Sequence, residues 1–239
     1  MTEAIEKQRA FWNDWNASTR EKSLNEISIE QTEVIVSWLS SLRRRDLKII
    51  EIGCGAGWLC TQLVQFGQVT ATDLSDEVLA RAAQRVPQAR FIAGDFMTTD
   101  VGSGYDVAIS LEVLAHVADQ AAFLSKIAGL LKPGGHLMLA TQNKPALVLN
   151  DIPAPGPGQL RHWVDRHELH ELLAPRFRVK EMFSITPRFN RGVLRILNSY
   201  RLQRAADRVF LGSLMRGVKW IVNKMWLGWT IMGLAEVRR

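Results

Sequence analysis

Six residues, Leu47-Lys48-Ile49-Ile50-Glu51-Ile52, run without a break into Gly53-Cys54-Gly55-Ala56-Gly57. The first six read as a short strand. The glycines at its end let the backbone turn sharply and let a ligand approach the main chain. Beyond Gly57 the apolar pattern alternates in period. A helix is expected near Trp58–Phe66, a strand over Gln68–Thr72 and a helix over Asp76–Arg85. Strands are expected at Arg90–Ala93, Asp106–Leu111 and Gly135–Gln142, with a helix over Gln120–Leu131 before the last. Strands alternating with helices predict an α/β fold, a Rossmann-like doubly wound sheet with right-handed crossovers.

Two stretches flank this core. Upstream, Ile5, Gln8, Phe11, Trp12 and Trp15 recur at helical spacing, and a second helix is expected over about Glu30–Leu42. Downstream, NDIPAPGPG (Asn150–Gly158) has three prolines and two glycines and is expected to be a loop. His162–Ala174 then reads as a helix, with Asp165 as N-cap and Glu168 at capping-box spacing. Phe177–Ser184 and Gly228–Val237 read as strands six and seven. Between them, residues 186–227 are expected to hold two or three basic helices. The expected organisation is one domain over 1–239: N-terminal helices to residue 44, a ligand-binding core over 45–145, and an acceptor-side region over 146–239.

The chain of 239 residues is 47% hydrophobic and 23% charged, which argues against disorder. Two cysteines, Cys54 and Cys60, are too few for a disulfide framework or a structural zinc site. The histidines show no H-E-x-x-H or similar cluster, so no metal is expected. The first twenty residues carry Glu3, Glu6 and Asp14 and lack an apolar h-region, so a cytoplasmic protein is expected. The net charge of +6 is uneven: residues 1–150 carry 14 basic and 17 acidic groups, residues 151–239 carry 16 and 7.

The glycine turn reads G-x-G-x-G followed by Trp58, where a dinucleotide fingerprint would be G-x-G-x-x-G. A pyrophosphate on that helix start, and with it a nicotinamide oxidoreductase, is disfavoured. Asp73 ends the second strand twenty positions after Gly53, placed to accept from both ribose hydroxyls of a nucleoside; a turn acid or N-cap is the plainer reading. Gly94-Asp95-Phe96 ends the third strand, where Asp95 would accept from an adenine amine beside Phe96. A solvated loop acid is the alternative.

These segments resemble the class I S-adenosylmethionine (SAM) dependent methyltransferases. The resemblance rests on Ile49–Gly57 (IIEIGCGAG), Thr72-Asp73-Leu74-Ser75, Gly94-Asp95-Phe96, Tyr105–Val117 and Leu130–Gly135. Within the family the chain looks most like small-molecule enzymes of the ubiquinone-biosynthesis type. The resemblance implies a seven-stranded sheet whose last strand is antiparallel, and SAM as cofactor with S-adenosylhomocysteine as product. It implies that Gly53, Cys54, Gly55 and Gly57 line the methionine portion and that Glu51 supports its amino group. Asp73 and Leu74 would hold the ribose, Gly94, Asp95 and Phe96 the adenine, and Leu111 would lie near the methyl donor.

Methyl transfer needs alignment and, for a hydroxyl acceptor, a base. His116, His162 and Glu112 are the candidates; a structural histidine at 116 and a surface one at 162 are the plainer readings. Oxygen is the expected target, with nitrogen or carbon acceptors, RNA, and a non-catalytic SAM-binding subunit as alternatives. From Arg188 to Lys224 there are nine basic residues and one acid, Asp207. This insertion reads as a lid over an anionic acceptor, a peripheral membrane contact or a solvated face. Arg188, Arg191 and Arg195 are its candidate contacts to a small-molecule acceptor, anionic or lipid-linked. Nucleic acid is the disfavoured partner.

Overall fold

The computed structural model describes residues 3–15, 26–153, 160–190 and 211–238. Seven strands form one sheet: β1 (Leu47–Ile52), β2 (Gly67–Asp73), β3 (Arg90–Ala93), β4 (Tyr105–Leu111), β5 (Leu131–Gln142), β6 (Phe177–Pro187) and β7 (Gly228–Val237). Their order is β3-β2-β1-β4-β5-β7-β6, and β7 runs antiparallel to both its neighbours. The order reverses between β1 and β4, so their carboxyl ends flank the crevice where such sheets bind ligands.

Successive residues of β1 bury on opposite faces. Leu47 and Ile49 join a core with Ile35, Trp38 and Leu39 of α2 (Glu26–Ser41) and Leu63 of α3 (Cys60–Leu63). Leu79 of α4 (Asp76–Arg85) packs into the same core. Ile50 and Ile52 join a second core with Phe123, Leu124 and Ile127 of α5 (Gln120–Leu130). Burial on both faces is why β1 carries apolar residues on both, Leu47 and Ile49 on one and Ile50 and Ile52 on the other. Each fully buried aliphatic side chain contributes about 1.5–3 kcal/mol.

Several boundaries differ from the sequence expectation, each for a local reason. The helix expected over Trp58–Phe66 is a single turn, α3, closed by the tighter bonds of the Gln65 and Phe66 amides to the Gln62 and Leu63 carbonyls before Gly67 opens β2. The expected His162 start of the next helix gives way to extended chain, with Val164 bridged to Asn143. The helix α7 (Arg166–Leu173) begins after Asp165, whose side chain accepts from the His167 and Glu168 amides in a full capping box. A short helix α6 (Lys144–Leu149) follows β5. Of the basic helices expected between β6 and β7, α8 (Leu211–Lys224) is described; residues 191–210 lie outside the described residues. An N-terminal helix, α1 (Glu3–Trp15), packs by α4: Arg9 reaches Asp76 at 3.6 Å and Asn13 Nδ2 donates to Asp76 Oδ1.

Candidate active site

At the end of β1 the chain crosses to β2: the amides of Gly53 and Cys54 both donate to the Thr72 carbonyl, at 2.7 and 3.1 Å. Gly53 has φ +75°, and a Cβ there would stand 2.1 Å from Val113 Cγ2. Only glycine fits, which is the physical content of the motif at this position. Asp73 then ties two loops together: Oδ2 accepts from the Gly55 amide and Oδ1 from the Ser75 amide, both at 2.8 Å. Burial raises the Asp73 carboxyl above its ordinary range, with the Ser75 and Gly55 amides pulling the other way.

Glu51 is buried and accepts from the Cys60 thiol at 2.9 Å. The contact with Cys54, burial and the Glu51 charge push the Cys60 thiol up, so it stays protonated and unreactive. At the end of β3, Asp95 Oδ1 accepts from the Met97 amide, and Phe96 packs edge-on against Phe123 at 5.3 Å.

These groups converge on one cavity of about 680 Å³. Of the residues expected at the cofactor, Glu51, Gly53, Cys54, Gly55, Asp73, Leu74, Gly94, Asp95, Phe96 and Leu111 line it. Gly57 does not; a Cβ there would meet Ala82 of α4 at 3.0 Å, so its glycine serves helix packing. The other wall is made by Phe11, Trp12, Ile27, Gln31, Arg161 and Trp229. The apolar stripe of α1 is visible in the sequence, but what it covers is not. Arg161 carries no sequence signal, since nothing local distinguishes it from a surface arginine.

His116 lines the cavity, and Nδ1 donates to the Leu160 carbonyl at 2.9 Å, which leaves Nε2 as the basic nitrogen. Trp12 packs edge-on against the ring at 4.9 Å. Burial holds the His116 imidazole below its ordinary pKa; the bond to Leu160 opposes this and the Arg161 charge adds to it. Linkage sets the sign for stability. Below about pH 6.5 the unfolded chain takes up a proton that folded His116 refuses, so stability falls as pH drops through that value. His116→Gln should make the decline of Tm between pH 7 and pH 5 shallower, leaving the share of His136, which burial also depresses.

His162 is exposed and outside the cavity lining; its backbone is engaged instead, the amide donating to Ala115 and the carbonyl accepting from Gln120. Arg188 also lies outside the lining and pairs with Glu26 at 3.5 Å. Arg191 and Arg195 lie outside the described residues. Among the described residues no three His, Cys, Asp or Glu side chains gather as metal ligands, and no helix is long and apolar enough to cross a membrane.

A family model described as a methyltransferase domain matches residues 50–139. The chain is 27% identical over 178 residues to a ubiquinone biosynthesis O-methyltransferase of Mesorhizobium japonicum, covering 67% of this chain and 71% of that protein. To the protein of the same name from Rhodopseudomonas palustris (strain BisB18) it is 36% identical over 103 residues, 41% of each chain. The fold matches magnesium protoporphyrin IX methyltransferase from Synechocystis PCC 6803, solved with bound S-adenosylhomocysteine: TM-score 0.68, 20% identity, 98% of this chain and 99% of that one. The matched domain, these relatives and the shared fold support a class I SAM-dependent methyltransferase. Within that class its similarity is to enzymes acting on small molecules.

Proposed function

We propose that the protein transfers the methyl group of SAM to a hydroxyl of a small-molecule acceptor, a biosynthetic intermediate that is aromatic, anionic or lipid-linked. The observation that carries this reading is the two-sided cavity. The ends of β1–β3 supply the polar half, and α1, α2 and Trp229 supply a half rich in apolar and aromatic side chains, suited to a second, non-nucleotide molecule. The O-methyltransferase names of the relatives support oxygen as the target.

The residues present fit the cofactor. Gly53 and Gly55 line the cavity with main chain alone, which lets a ligand come close, and Asp73 is an acceptor held rigid by two amides. Glu51 is a buried carboxylate for an ammonium group, and Asp95 with Phe96 offers a polar edge beside a ring. Bound there, SAM supplies a sulfonium-activated methyl group. The protein aligns the acceptor, excludes water, and takes the proton leaving the acceptor oxygen on Nε2 of His116, which burial keeps neutral near pH 7. An anionic group on the acceptor would meet Arg161, which lines the cavity, before Arg188, which is paired with Glu26.

A peripheral contact with the inner face of the membrane is supported by α8. Trp220, Ile221 and Met225 at its end are exposed large apolar groups, and Lys224 sits over the Trp220 ring. Val148 and Leu149 of α6 are exposed as well. Basic helices with such a face lie in the headgroup region. The test uses tritiated SAM and a small-molecule extract. Label in a methyl ether supports the reading; label on nitrogen or carbon corrects its target, and label only in RNA, or no transfer, rejects it. Phosphatidylglycerol vesicles should retain the protein and release the Trp220→Ser/Ile221→Ser variant, whereas equal retention by both removes α8 from the contact.

A further inference from the structure

Glu112 follows β4 directly and lines the cavity. Its backbone is left-handed, φ +62°, a conformation that costs energy for a residue with a side chain and that clusters at functional sites. Its amide is fixed by the Ala140 carbonyl of β5 at 2.8 Å. Its Oε1 accepts twice, from Gln31 Nε2 at 2.6 Å and from Thr230 Oγ1 at 3.1 Å. Gln31 belongs to α2 and Thr230 to β7, and both are fully buried. Three elements distant in sequence therefore orient one carboxylate.

The clamp has a feature that packing does not explain. The Gln31 carbonyl oxygen is buried and has no hydrogen-bond partner. A glutamine kept inside the apolar stripe of Ile35, Trp38 and Leu39 at that cost spends its amide on aiming Glu112. The position within the cavity says what the carboxylate faces. The cofactor residues other than Leu111 come from the ends of β1, β2 and β3, whereas Glu112 stands at the end of β4 beside Gln142 and Trp229.

We infer that Glu112 is the residue that selects the acceptor by accepting a hydrogen bond from it, and that Gln31 and Thr230 are its positioning residues. The acceptor then carries a donor, a hydroxyl or an amine, and an ether in its place is refused. This rests on the proposed methyltransferase activity for which half of the cavity the acceptor enters. Selection by a held polar group is sharp because the analogue lacking the donor leaves that group unpaired.

The test uses the full chain saturated with S-adenosylhomocysteine and titrated with phenol, aniline and anisole, which share a ring and differ in the donor. The wild type should prefer phenol or aniline over anisole by about tenfold; which of the two wins tells hydroxyl from amine. In Glu112→Gln the clamp still holds the carbonyl oxygen, so the amide NH₂ faces the acceptor and the preference should fall or reverse toward anisole. Gln31→Met should erode the preference with S-adenosylhomocysteine affinity within about twofold, a split that a purely structural role would not produce. A wild type that does not discriminate, or a Glu112→Gln variant that keeps the wild-type preference, overturns the inference. Absence of S-adenosylhomocysteine binding would count instead against the methyltransferase reading.

Discussion

Asp73→Ala is expected to lower SAM affinity by about two to four orders of magnitude in calorimetry, while Tm moves by only a few degrees. The carboxylate is expected to accept from two ribose hydroxyls, and hydrogen bonds to a charged group contribute roughly 1.5–3 kcal/mol each. Losing both comes to about 3–6 kcal/mol, and each 1.4 kcal/mol is tenfold in Kd. A second loss adds to this, because the same side chain holds the Gly55 and Ser75 amides and so sets the spacing of two cavity loops. The small effect on folding has its own reason. Burial raises the Asp73 pKa, so the ionised form is held at a cost above the unfolded pKa, and alanine relieves that cost as it removes the bonds. Unchanged SAM affinity in this variant would remove Asp73 from the ribose site.

Gly67→Ala is expected to destabilise the fold by about 3–5 kcal/mol, a fall in Tm on the order of 10 °C in thermal denaturation. Gly67 opens β2 at φ +151°, and a Cβ there would stand 2.0 Å from the Leu47 carbonyl oxygen and 2.5 Å from its nitrogen. Both atoms are backbone of β1, paired in parallel register with β2, so neither can give without breaking the ladder that carries the cofactor loops. Gly129 makes the control. It is exposed within α5 with nothing within 4 Å of its added Cβ, so Gly129→Ala should raise stability by about 0.5–1 kcal/mol. A Gly67→Ala protein as stable as Gly129→Ala would show that β1 and β2 yield more than their register implies.

The two glycines show how far the sequence could be read. Gly53 stood out because it ends an apolar strand in a glycine-rich run. Gly67 did not, because its constraint comes from Leu47, twenty residues away and against it only once the strands pair. The capping box at Asp165 and Glu168 was legible for the opposite reason: both partners lie within one turn. The strand over Gly228–Val237 was legible as a run but not as a neighbour of both β5 and β6.

Periodicity and local backbone chemistry determined the order of elements, the glycine turn and the acids at the strand ends, since each depends on residues near one another in the chain. Tertiary structure alone decided what those elements enclose. It brought α1 and α2 over the strand ends, placed Arg161 rather than Arg188 at the cavity, left His162 outside it, and set Gln31 and Thr230 on Glu112. Each of those outcomes depends on contacts between residues tens to hundreds of positions apart, which leave no period or spacing to read.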